Sequence, residues 1–552
     1  MTRIQGAPAD VASARTTDFD AVVVGAGFSG LYMLYRLRQL GLSARVYEAG
    51  DGVGGTWYWN RYPGARCDSE SVYYCYTFSP ELAQEWEWTE RYPAQPEILR
   101  YLNHVADRFD LRRDIQLNTR VTSATYDQAT ERWQIGTADG GRVTATYFIT
   151  AIGCLSATNI PQIEGLDTFQ GRWYHTSRWP HEGVDFTGQR VAVIGTGSTG
   201  IQAVPEIAKQ AAQLTVFQRT PNYTVPARNA PLDPEAYREL KATYPAIQQK
   251  SRESGFGMPF APPERSALSV TPEERQRIYE AGWQKGGFRF FLDTFNDIAL
   301  NKAANDTAAD FIRAKIQEIV HDPDTAELLM PRDYPYGTKR PPIDTDYYET
   351  FNRDNVKLVD LRRSPIETIT PTGLRTTEAE YEFDSIVFAT GFDAMTGGFF
   401  RIDIRGRDGL SLKDRWAAGP RTYLGISTHG FPNLFMITGP GSPSVLSNMP
   451  ISIEQHVEWI ADCIAYLRAH DLASVEPSLD AEDRWVAHVN EVAAGTLFPL
   501  ANSWYLGANI PGKPRVFMPY VGGVGNYRKI CADVAAKGYE GFVLTPAWLA
   551  VR

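Results

Sequence analysis

The stretch FDAVVVGAGFSG, residues 19–30, is a short apolar, β-branched run followed directly by three glycines at GxGxxG spacing. Leucines then recur at every third position from residue 31 to residue 40, which is typical of a helix, and ARVYE at residues 44–48 has the composition of a strand. Strand, glycine-rich turn, helix and strand in this order predict a βαβ unit in a parallel, doubly wound sheet of the α/β class.

The three glycines of this turn, Gly25, Gly27 and Gly30, indicate a dinucleotide site. They permit a tight turn and let a pyrophosphate approach the backbone at the start of the helix. Glu48 ends the second strand, where a carboxylate can accept hydrogen bonds from ribose hydroxyls. The alternative is a structural glycine turn with a surface glutamate.

A second GxGxxG stretch, the second dinucleotide-binding fingerprint of the chain, begins about 170 residues after the first. It lies between the strand-like runs at residues 191–194 and 214–217. Arg219, beside Thr220, stands where the first unit has its acid, so a guanidinium replaces the carboxylate that would repel a 2′-phosphate. The second unit therefore predicts NADPH, and the two units together predict an enzyme in which NADPH reduces FAD. The alternative for Arg219 is a solvated residue at a strand end. The fingerprint consists of Gly195, Thr196, Gly197, Ser198, Thr199 and Gly200.

Composition narrows the function further. At roughly 150 residues per domain, a chain of 552 residues suggests three or four domain-sized units. The net charge of -10 argues against nucleic-acid binding. We find no apolar signal sequence and no run long enough to span a membrane, so neither is expected. The five cysteines lack CxxC or metal-ligand spacing, which predicts free thiols in the cytoplasm and no metal site.

The pattern along the chain predicts how these units are arranged. Residues 221–332 read as helical, residues 385–391 end a returning β-rich stretch, and residues 452–470 read as an amphipathic helix. The resulting prediction is a flexible N-terminus and two Rossmann-like domains, with a helical insertion in the second. The predicted limits are 1–18 for the N-terminus, 19–155 and 386–552 for the FAD domain, 156–220 and 334–385 for the NADPH domain, and 221–333 for the insertion.

The segment FQGRWYHTSRWP, residues 169–180, fits the pattern FxGxxxHxxxWP at every fixed position. That pattern marks the type I Baeyer–Villiger monooxygenases, and the chain resembles this family from about residue 18 onward. It is most similar to the phenylacetone and steroid monooxygenase branch, through blocks such as WYWNRYPGARCD at 57–68 and GPGSPSVLSNM at 439–449. The resemblance implies that the motif is a hinge between domains and that its histidine does no acid–base work. The motif residues are Phe169, Gly171, His175, Trp179 and Pro180.

The resemblance implies two catalytic residues, Arg340 and Asp68. Oxygen would add to the reduced flavin at C4a, and the guanidinium of Arg340 would stabilise the peroxide anion while Asp68 orients it. Without the matching flanks, the Lys339–Arg340 pair would read as solvated surface. The implied reaction converts ketones to esters or lactones with NADPH and O2. Bulky apolar ketones (aryl, long-chain, cyclic or steroid-like) are expected, with sulfoxidation as a side activity and a monomeric protein.

Further positions match family contacts with the cofactors and the substrate. For FAD they are Gly55, Thr56, Trp57, Asp68, Tyr74, Val121 and Met449; for NADPH they are Lys339, Arg340 and Trp504; and for the substrate they are Ser444, Val445, Leu446 and Met449. Cys67 is interpreted as a packing residue. The alternatives are a flavin monooxygenase that oxidises nitrogen or sulfur, an NADPH oxidase, and a redox-sensing binding protein without NADPH turnover; a disulfide reductase would need the missing CxxC.

Overall fold

The strand Thr17–Val24 lies inside a mixed eight-stranded sheet, between Ala44–Tyr47 and Arg142–Thr150, and is parallel to both. The structure is a computed structural model, and it describes residues 17–547. The predicted flexible N-terminus, residues 1–18, lies outside the described residues except for its last two. The helix Phe28–Gln39 joins the first two parallel strands, so the first βαβ prediction is confirmed.

One edge of this first sheet differs from the predicted parallel arrangement. Val121–Asp127, Arg132–Thr137 and Arg142–Thr150 are consecutive antiparallel strands, because short turns join them and leave no room for a crossover helix. In order across the sheet, the strands are Asp403–Arg405, Val121–Asp127, Arg132–Thr137, Arg142–Thr150, Thr17–Val24, Ala44–Tyr47 and Ile115–Gln116, and Leu434–Met436 also pairs with Arg142–Thr150.

A second sheet has five strands, and every neighbouring pair is parallel. Its βαβ unit contains the helix Ser198–Ala208, which confirms the second prediction. The strand Arg172–His175 forms an edge of this sheet, so part of the motif at residues 169–180 is built into it. In order the strands are Val356–Asp360, Gln213–Gln218, Arg190–Ile194, Ser385–Phe388 and Arg172–His175.

The two glycine-rich turns have the same geometry. Gly25 has φ +105° and Gly195 has φ +113°, a region that side chains other than hydrogen disfavour. A Cβ on Gly25 would lie 2.5 Å from the carbonyl oxygen of Ala151, and one on Gly195 would lie 2.4 Å from that of Ala389. Each turn therefore packs against the backbone just beyond a neighbouring parallel strand, and only glycine fits there.

We expect Gly25→Ala to lower the free energy of unfolding by about 3 kcal/mol or more, because a close contact adds to an unfavourable φ. Gly41→Ala is the matched control: Gly41 also has a positive φ, of +70°, but a Cβ there meets nothing within 4 Å. Gly41→Ala should therefore lower the free energy of unfolding by only about 1 kcal/mol. Urea unfolding of both variants checks the difference, and equal losses would contradict the packing argument.

Residues 221–333 are mostly helical, as predicted. Two of its helices begin at side-chain N-caps: Asp233 accepts hydrogen bonds from the backbone of Glu235 and Ala236, and Thr271 accepts one from the backbone of Glu274. The helices of this segment are Pro234–Ala242, Tyr244–Glu253, Pro272–Lys285, Arg289–Leu292, Lys302–Ile319 and Pro323–Leu329.

The helix Met449–Ala469 corrects the prediction of an amphipathic helix at residues 452–470. Residues 450–457 are buried on all sides, including Glu454 and His456. Glu454 accepts hydrogen bonds from the backbone N–H groups of Thr77 and Phe78, and Nδ1 of His456 accepts one from that of Thr438. These two polar side chains are thus hydrogen-bonded inside the protein and do not form a solvated face.

The remaining elements are short helices and small sheets around the two main sheets. No helix within residues 17–547 combines the length and apolar sequence needed to cross a membrane. The other α-helices are Thr56–Trp59, Pro80–Glu85, Gln95–Arg108, Tyr347–Thr350, Leu412–Arg415, Leu479–Ala494 and Val524–Ala536. The small sheets pair Val225–Pro226 with Ile343–Asp344, Gly373–Thr376 with Ile366–Thr370 on one side and Glu380–Glu382 on the other, and Leu472–Pro477 with Phe542–Pro546.

Candidate active site

Arg340 and Asp68, which are 272 residues apart in the sequence, form a two-point ion pair. Nε of Arg340 donates to Oδ2 of Asp68 at 2.6 Å, and Nη2 donates to Oδ1 at 2.8 Å. Nη1 donates to the carbonyl oxygen of Val445 at 2.5 Å. Two carboxylate oxygens and one carbonyl therefore fix the plane of the guanidinium.

The surroundings of Arg340 keep it charged. Its side chain is 18% exposed, and burial by itself would lower its pKa, but the carboxylate of Asp68 more than offsets this and the pKa lies above its ordinary value. The guanidinium carbon also lies 4.9 Å from the centre of the Phe288 ring, in a cation–π contact. The molecule thus holds one fixed positive charge in a largely dehydrated place.

The predicted substrate loop is built against this charge. Ser444–Leu446 is a single 3-10 turn in which Ser444 and Val445 are buried and Leu446 is half-buried. Ser444 has φ +43°, a strained value that turns the chain sharply before Val445. Met449 begins the next helix and packs in the same hydrophobic cluster as Val445 and Leu446. The segment that carries the four predicted substrate residues therefore contacts Arg340 through the carbonyl oxygen of Val445.

Two further side chains at Arg340 were missed from the sequence. Phe288 lies in the helical segment, where no motif marks it. Tyr505 is buried next to Trp504; burial raises the pKa of its hydroxyl, whereas the nearby Arg340 guanidinium lowers it. Only its position beside Trp504, a predicted NADPH contact, could have drawn attention to Tyr505.

The predicted FAD turn is lined by backbone atoms. The backbones of Gly27 and Gly55 are in close contact, because a Cβ on Gly55 would come within 2.9 Å of Cα of Gly27. Glu48 is buried, and its two carboxylate oxygens accept hydrogen bonds from the N–H groups of Ala26 and Gly50, each at 2.8 Å. The acid is therefore fixed at the fingerprint, with further lone pairs for a ribose, and these residues fit a dinucleotide.

The other predicted FAD residues do not all lie together. Nε1 of Trp57 donates to the hydroxyl of Tyr74 at 3.1 Å, and the charges of Asp68 and Arg340 both act on the pKa of this buried tyrosine, which burial raises. These two aromatic residues therefore lie beside the ion pair. Val121 lies in a different hydrophobic cluster, at the start of the strand Val121–Asp127. Thr56 is exposed, at the first turn of the helix Thr56–Trp59.

The predicted 2′-phosphate contacts also come together. Burial and, after it, the positive charge of Arg219 lower the pKa of Lys339 to about 8, while Asp333 acts in the opposite direction. Nζ of Lys339 lies 4.4 Å from the centre of the Tyr334 ring. Thr196 donates to the carbonyl oxygen of Thr220 at 2.9 Å, which ties the fingerprint to the residue after Arg219. Lys339 and Arg219 repel one another, and an anion with two or more charges, such as a 2′-phosphate, would offset that repulsion.

The remaining predicted NADPH residues lie at the fingerprint and near Arg340. Ser198 and Thr199 begin the helix Ser198–Ala208, so their N–H groups lie at its positive end. Trp504 is half-buried, and its ring centre lies 4.4 Å from that of Tyr505. Trp504 is therefore on the Arg340 side of the site.

The motif histidine has every ring nitrogen engaged. Nε2 of His175 lies 3.2 Å from the carbonyl oxygen of Asn159, and Nδ1 accepts from the N–H of Ser177. Burial lowers its pKa to about 4, so the ring is neutral and its Nε2–H donates to that carbonyl. This agrees with the interpretation of His175 as a packed, hydrogen-bonded residue. Trp179, also buried, packs against Tyr174 and Phe186.

All five cysteines, each within the described residues, are free. Cys67 is buried beside Asp68, and burial raises the pKa of its thiol, which disfavours the reactive thiolate. The interpretation of Cys67 as a packing residue is confirmed.

Comparison with known proteins places the chain in a family. Residues 22–251 match the family model for pyridine nucleotide-disulphide oxidoreductases. A Baeyer–Villiger monooxygenase of Pseudooceanicola batsensis is 48% identical over 529 residues, which cover 95% of this chain and 96% of the relative. A phenazine N-monooxygenase of Lysobacter antibioticus is 46% identical over 531 residues, covering 96% and 97%.

Solved structures agree over nearly the whole chain. An oxidised steroid monooxygenase bound to NADP is 55% identical, with a TM-score of 0.92, and the match covers 96% of this chain and 100% of the other. The enzyme OTEMO in complex with FAD and NADP is 43% identical, with a TM-score of 0.93 and the same coverage. The resemblance inferred from residues 169–180 is confirmed, and the chain belongs to the Baeyer–Villiger monooxygenase family.

Proposed function

We propose that this chain binds FAD and NADPH and uses O2 to convert ketones into esters or lactones. Bulky apolar ketones are the expected substrates, with sulfoxidation as a side activity. The observation that carries the proposal is the guanidinium of Arg340, held at two points by Asp68 and at a third by Val445. The relatives named above for Baeyer–Villiger and steroid oxidation support the reaction class.

The chain's own residues would bind, orient and stabilise charge. The turns at Gly25 and Gly195 would hold FAD and NADPH, and bound FAD, reduced by NADPH, supplies the activated oxygen that is inserted beside the carbonyl. Three of the five N–H groups of Arg340 donate to Asp68 and Val445, and Tyr505 is a further hydrogen-bond partner among the described residues. The N–H capacity that remains would stabilise negative charge that develops on oxygen during the reaction.

Asp68 and Phe288 would set the strength of this effect. Asp68 fixes the direction of the guanidinium, and the Phe288 ring covers one face of it. Low exposure keeps water away, and a charge acts more strongly on its neighbours in such surroundings. Catalysis by this chain is thus electrostatic and positional.

Oxidation of an aromatic nitrogen is the second candidate, because the phenazine N-monooxygenase is similar over almost the full length. The two functions differ in product. We therefore propose to incubate the FAD-loaded protein with NADPH and ¹⁸O2, once with a panel of ketones and once with aromatic N-heterocycles. Mass spectrometry should detect esters that carry a single ¹⁸O atom. N-oxides without ester, or hydrogen peroxide alone, would refute the proposal.

We propose that the first sheet belongs to the FAD domain and the second to the NADPH domain, with the limits predicted from the sequence except at residues 385/386. That limit would divide the strand Ser385–Phe388, which lies wholly in the second sheet, so the NADPH domain extends at least to residue 388. We also infer a monomer in the cytoplasm. Five free cysteines, four of them buried, fit a reducing compartment. Light scattering coupled to size-exclusion chromatography tests the monomer directly.

The pKa of Lys339 predicts how NADPH affinity depends on pH. In the free protein this lysine loses its proton near pH 8 because burial and Arg219 disfavour its charge. A bound 2′-phosphate would favour the charged form and raise that pKa, so binding above pH 8 would require proton uptake. We expect the affinity for NADPH to be level below pH 8 with respect to this group and to fall above it.

Calorimetric titration with NADP⁺ from about pH 7 to about pH 10 measures this dependence. Lys339→Arg should flatten the profile, because arginine stays charged throughout this range. NAD⁺, which lacks the 2′-phosphate, should show no such fall in either protein. A profile for Lys339→Arg that matches the wild type would assign the titration to another group.

A further inference from the structure

A cavity of about 450 Å³ lies between the helix Gln95–Arg108 and the turn that follows Pro180. Its lining includes Arg61, Arg100 and His181. Apart from Pro180, which ends the family motif, none of the residues that line it belongs to the predicted FAD, NADPH or substrate sites. Its volume lies in the range of about 300–1,000 Å³ that is typical of small-molecule sites.

The lining of this cavity carries cations and no acid. Within residues 17–547 neither Arg61 nor Arg100 forms an ion pair with a carboxylate. The net charge of the chain is -10, so this local excess of cations is opposite in sign to the charge of the whole protein. The cavity therefore concentrates positive charge that the protein itself does not neutralise.

The guanidinium of Arg61 is fixed in place by Tyr58. Its Nε donates to the carbonyl oxygen of Tyr58 at 2.7 Å, and its guanidinium carbon lies 4.9 Å from the centre of the Tyr58 ring. The ring of His181 meets the same tyrosine edge-on at 5.3 Å. The terminal nitrogens of Arg61 have no hydrogen-bond partner among the described residues, so a preorganised pair of donors remains for an anion.

Leu99 and Pro180 add apolar surface to the same lining. We propose that this cavity binds a small organic anion, whose carboxylate or phosphate lies between Arg61 and Arg100 and whose apolar part packs against Leu99 and Pro180. The inference goes beyond the proposed reaction and does not depend on it.

Such a ligand would connect two parts of the fold. Nε2 of Gln95 donates to the carbonyl oxygen of Trp57 at 2.5 Å, so the helix Gln95–Arg108 is tied to the predicted FAD segment. Pro180 follows the motif whose strand Arg172–His175 is an edge of the second sheet. One anion would contact both, so its binding should raise the thermal unfolding temperature of the holoenzyme.

Phenyl phosphate and inorganic phosphate are the probes. Calorimetric titration uses FAD-loaded protein saturated with NADP⁺, so that the predicted 2′-phosphate site is filled. We expect saturable binding of phenyl phosphate and clearly weaker binding of inorganic phosphate. Arg61→Gln combined with Arg100→Gln should weaken phenyl phosphate by about tenfold or more, since hydrogen bonds to charged groups are lost.

Arg113→Gln, an exposed arginine just beyond the same helix, is the matched control and should bind phenyl phosphate like the wild type. FAD content and turnover verify that the double variant is folded. Unchanged affinity in the double variant, or no saturable binding to the wild type, would overturn the proposal. Equal affinities for phenyl phosphate and inorganic phosphate would contradict the proposed apolar contacts with Leu99 and Pro180.

Discussion

Arg340→Ala should lower the rate of ester formation by about 100-fold or more while NADPH still reduces the bound flavin. The variant removes the positive charge that Asp68 and Val445 hold in place. Hydride transfer creates no negative charge on a substrate oxygen, so that step does not need the guanidinium for this purpose. Anaerobic stopped-flow absorbance measures flavin reduction, and chromatography of the products measures ester formation.

Arg340→Lys separates charge from geometry. A lysine keeps one positive charge, but it cannot make the two-point bond to Asp68 together with the bond to Val445. We expect an ester rate between those of the wild type and Arg340→Ala, with hydrogen peroxide as the diverted product. Ester formation at the wild-type rate in Arg340→Ala would exclude the proposed role of this residue.

The parts of the fold that could be predicted depend on short stretches of sequence. The turns at Gly25 and Gly195 and the caps at Asp233 and Thr271 each need only a few neighbouring residues, and all four are present in the structure. A parallel βαβ unit follows from such a local order of elements. That is why both nucleotide units could be inferred before any contact between them was known.

The errors and omissions concern contacts over long sequence distances. The helix Met449–Ala469 was predicted to be amphipathic from the helical spacing of its apolar residues. In its first half, however, Glu454 and His456 are buried and bonded to distant partners at Thr77, Phe78 and Thr438. No periodicity in the sequence contains that information.

The Arg340–Asp68 pair shows the same limit. Composition and spacing could not join two residues 272 positions apart, and only the family resemblance did so before the structure showed the bond. Phe288 lies in the helical segment, where no motif or family resemblance marks it, and it was therefore missed.

Replacing both Arg219 and Lys339 by alanine should weaken NADPH binding by about 100-fold or more, because each charged contact with a phosphate contributes about 1.5–3 kcal/mol. The affinity for NADH should stay the same, so the preference between the two nucleotides would be lost. Arg353→Ala, an exposed arginine elsewhere in the second-sheet unit, is the control and should leave both affinities unchanged. Dissociation constants of NADP⁺ and NAD⁺ for the five proteins (the wild type, the two single variants, the double variant and Arg353→Ala) decide the matter.

The single variants carry the sharper test, because the two cations act on each other. The charge of Arg219 helps to lower the pKa of Lys339 to about 8, so Arg219→Ala should let that pKa rise and leave the lysine more fully protonated. The two single losses should therefore add up to less than the double loss in free energy, and this shortfall should grow above pH 8, where the lysine of the wild type is already neutral. Strictly additive single effects at every pH would mean that the two residues bind different parts of the nucleotide. The shared 2′-phosphate site would then be excluded.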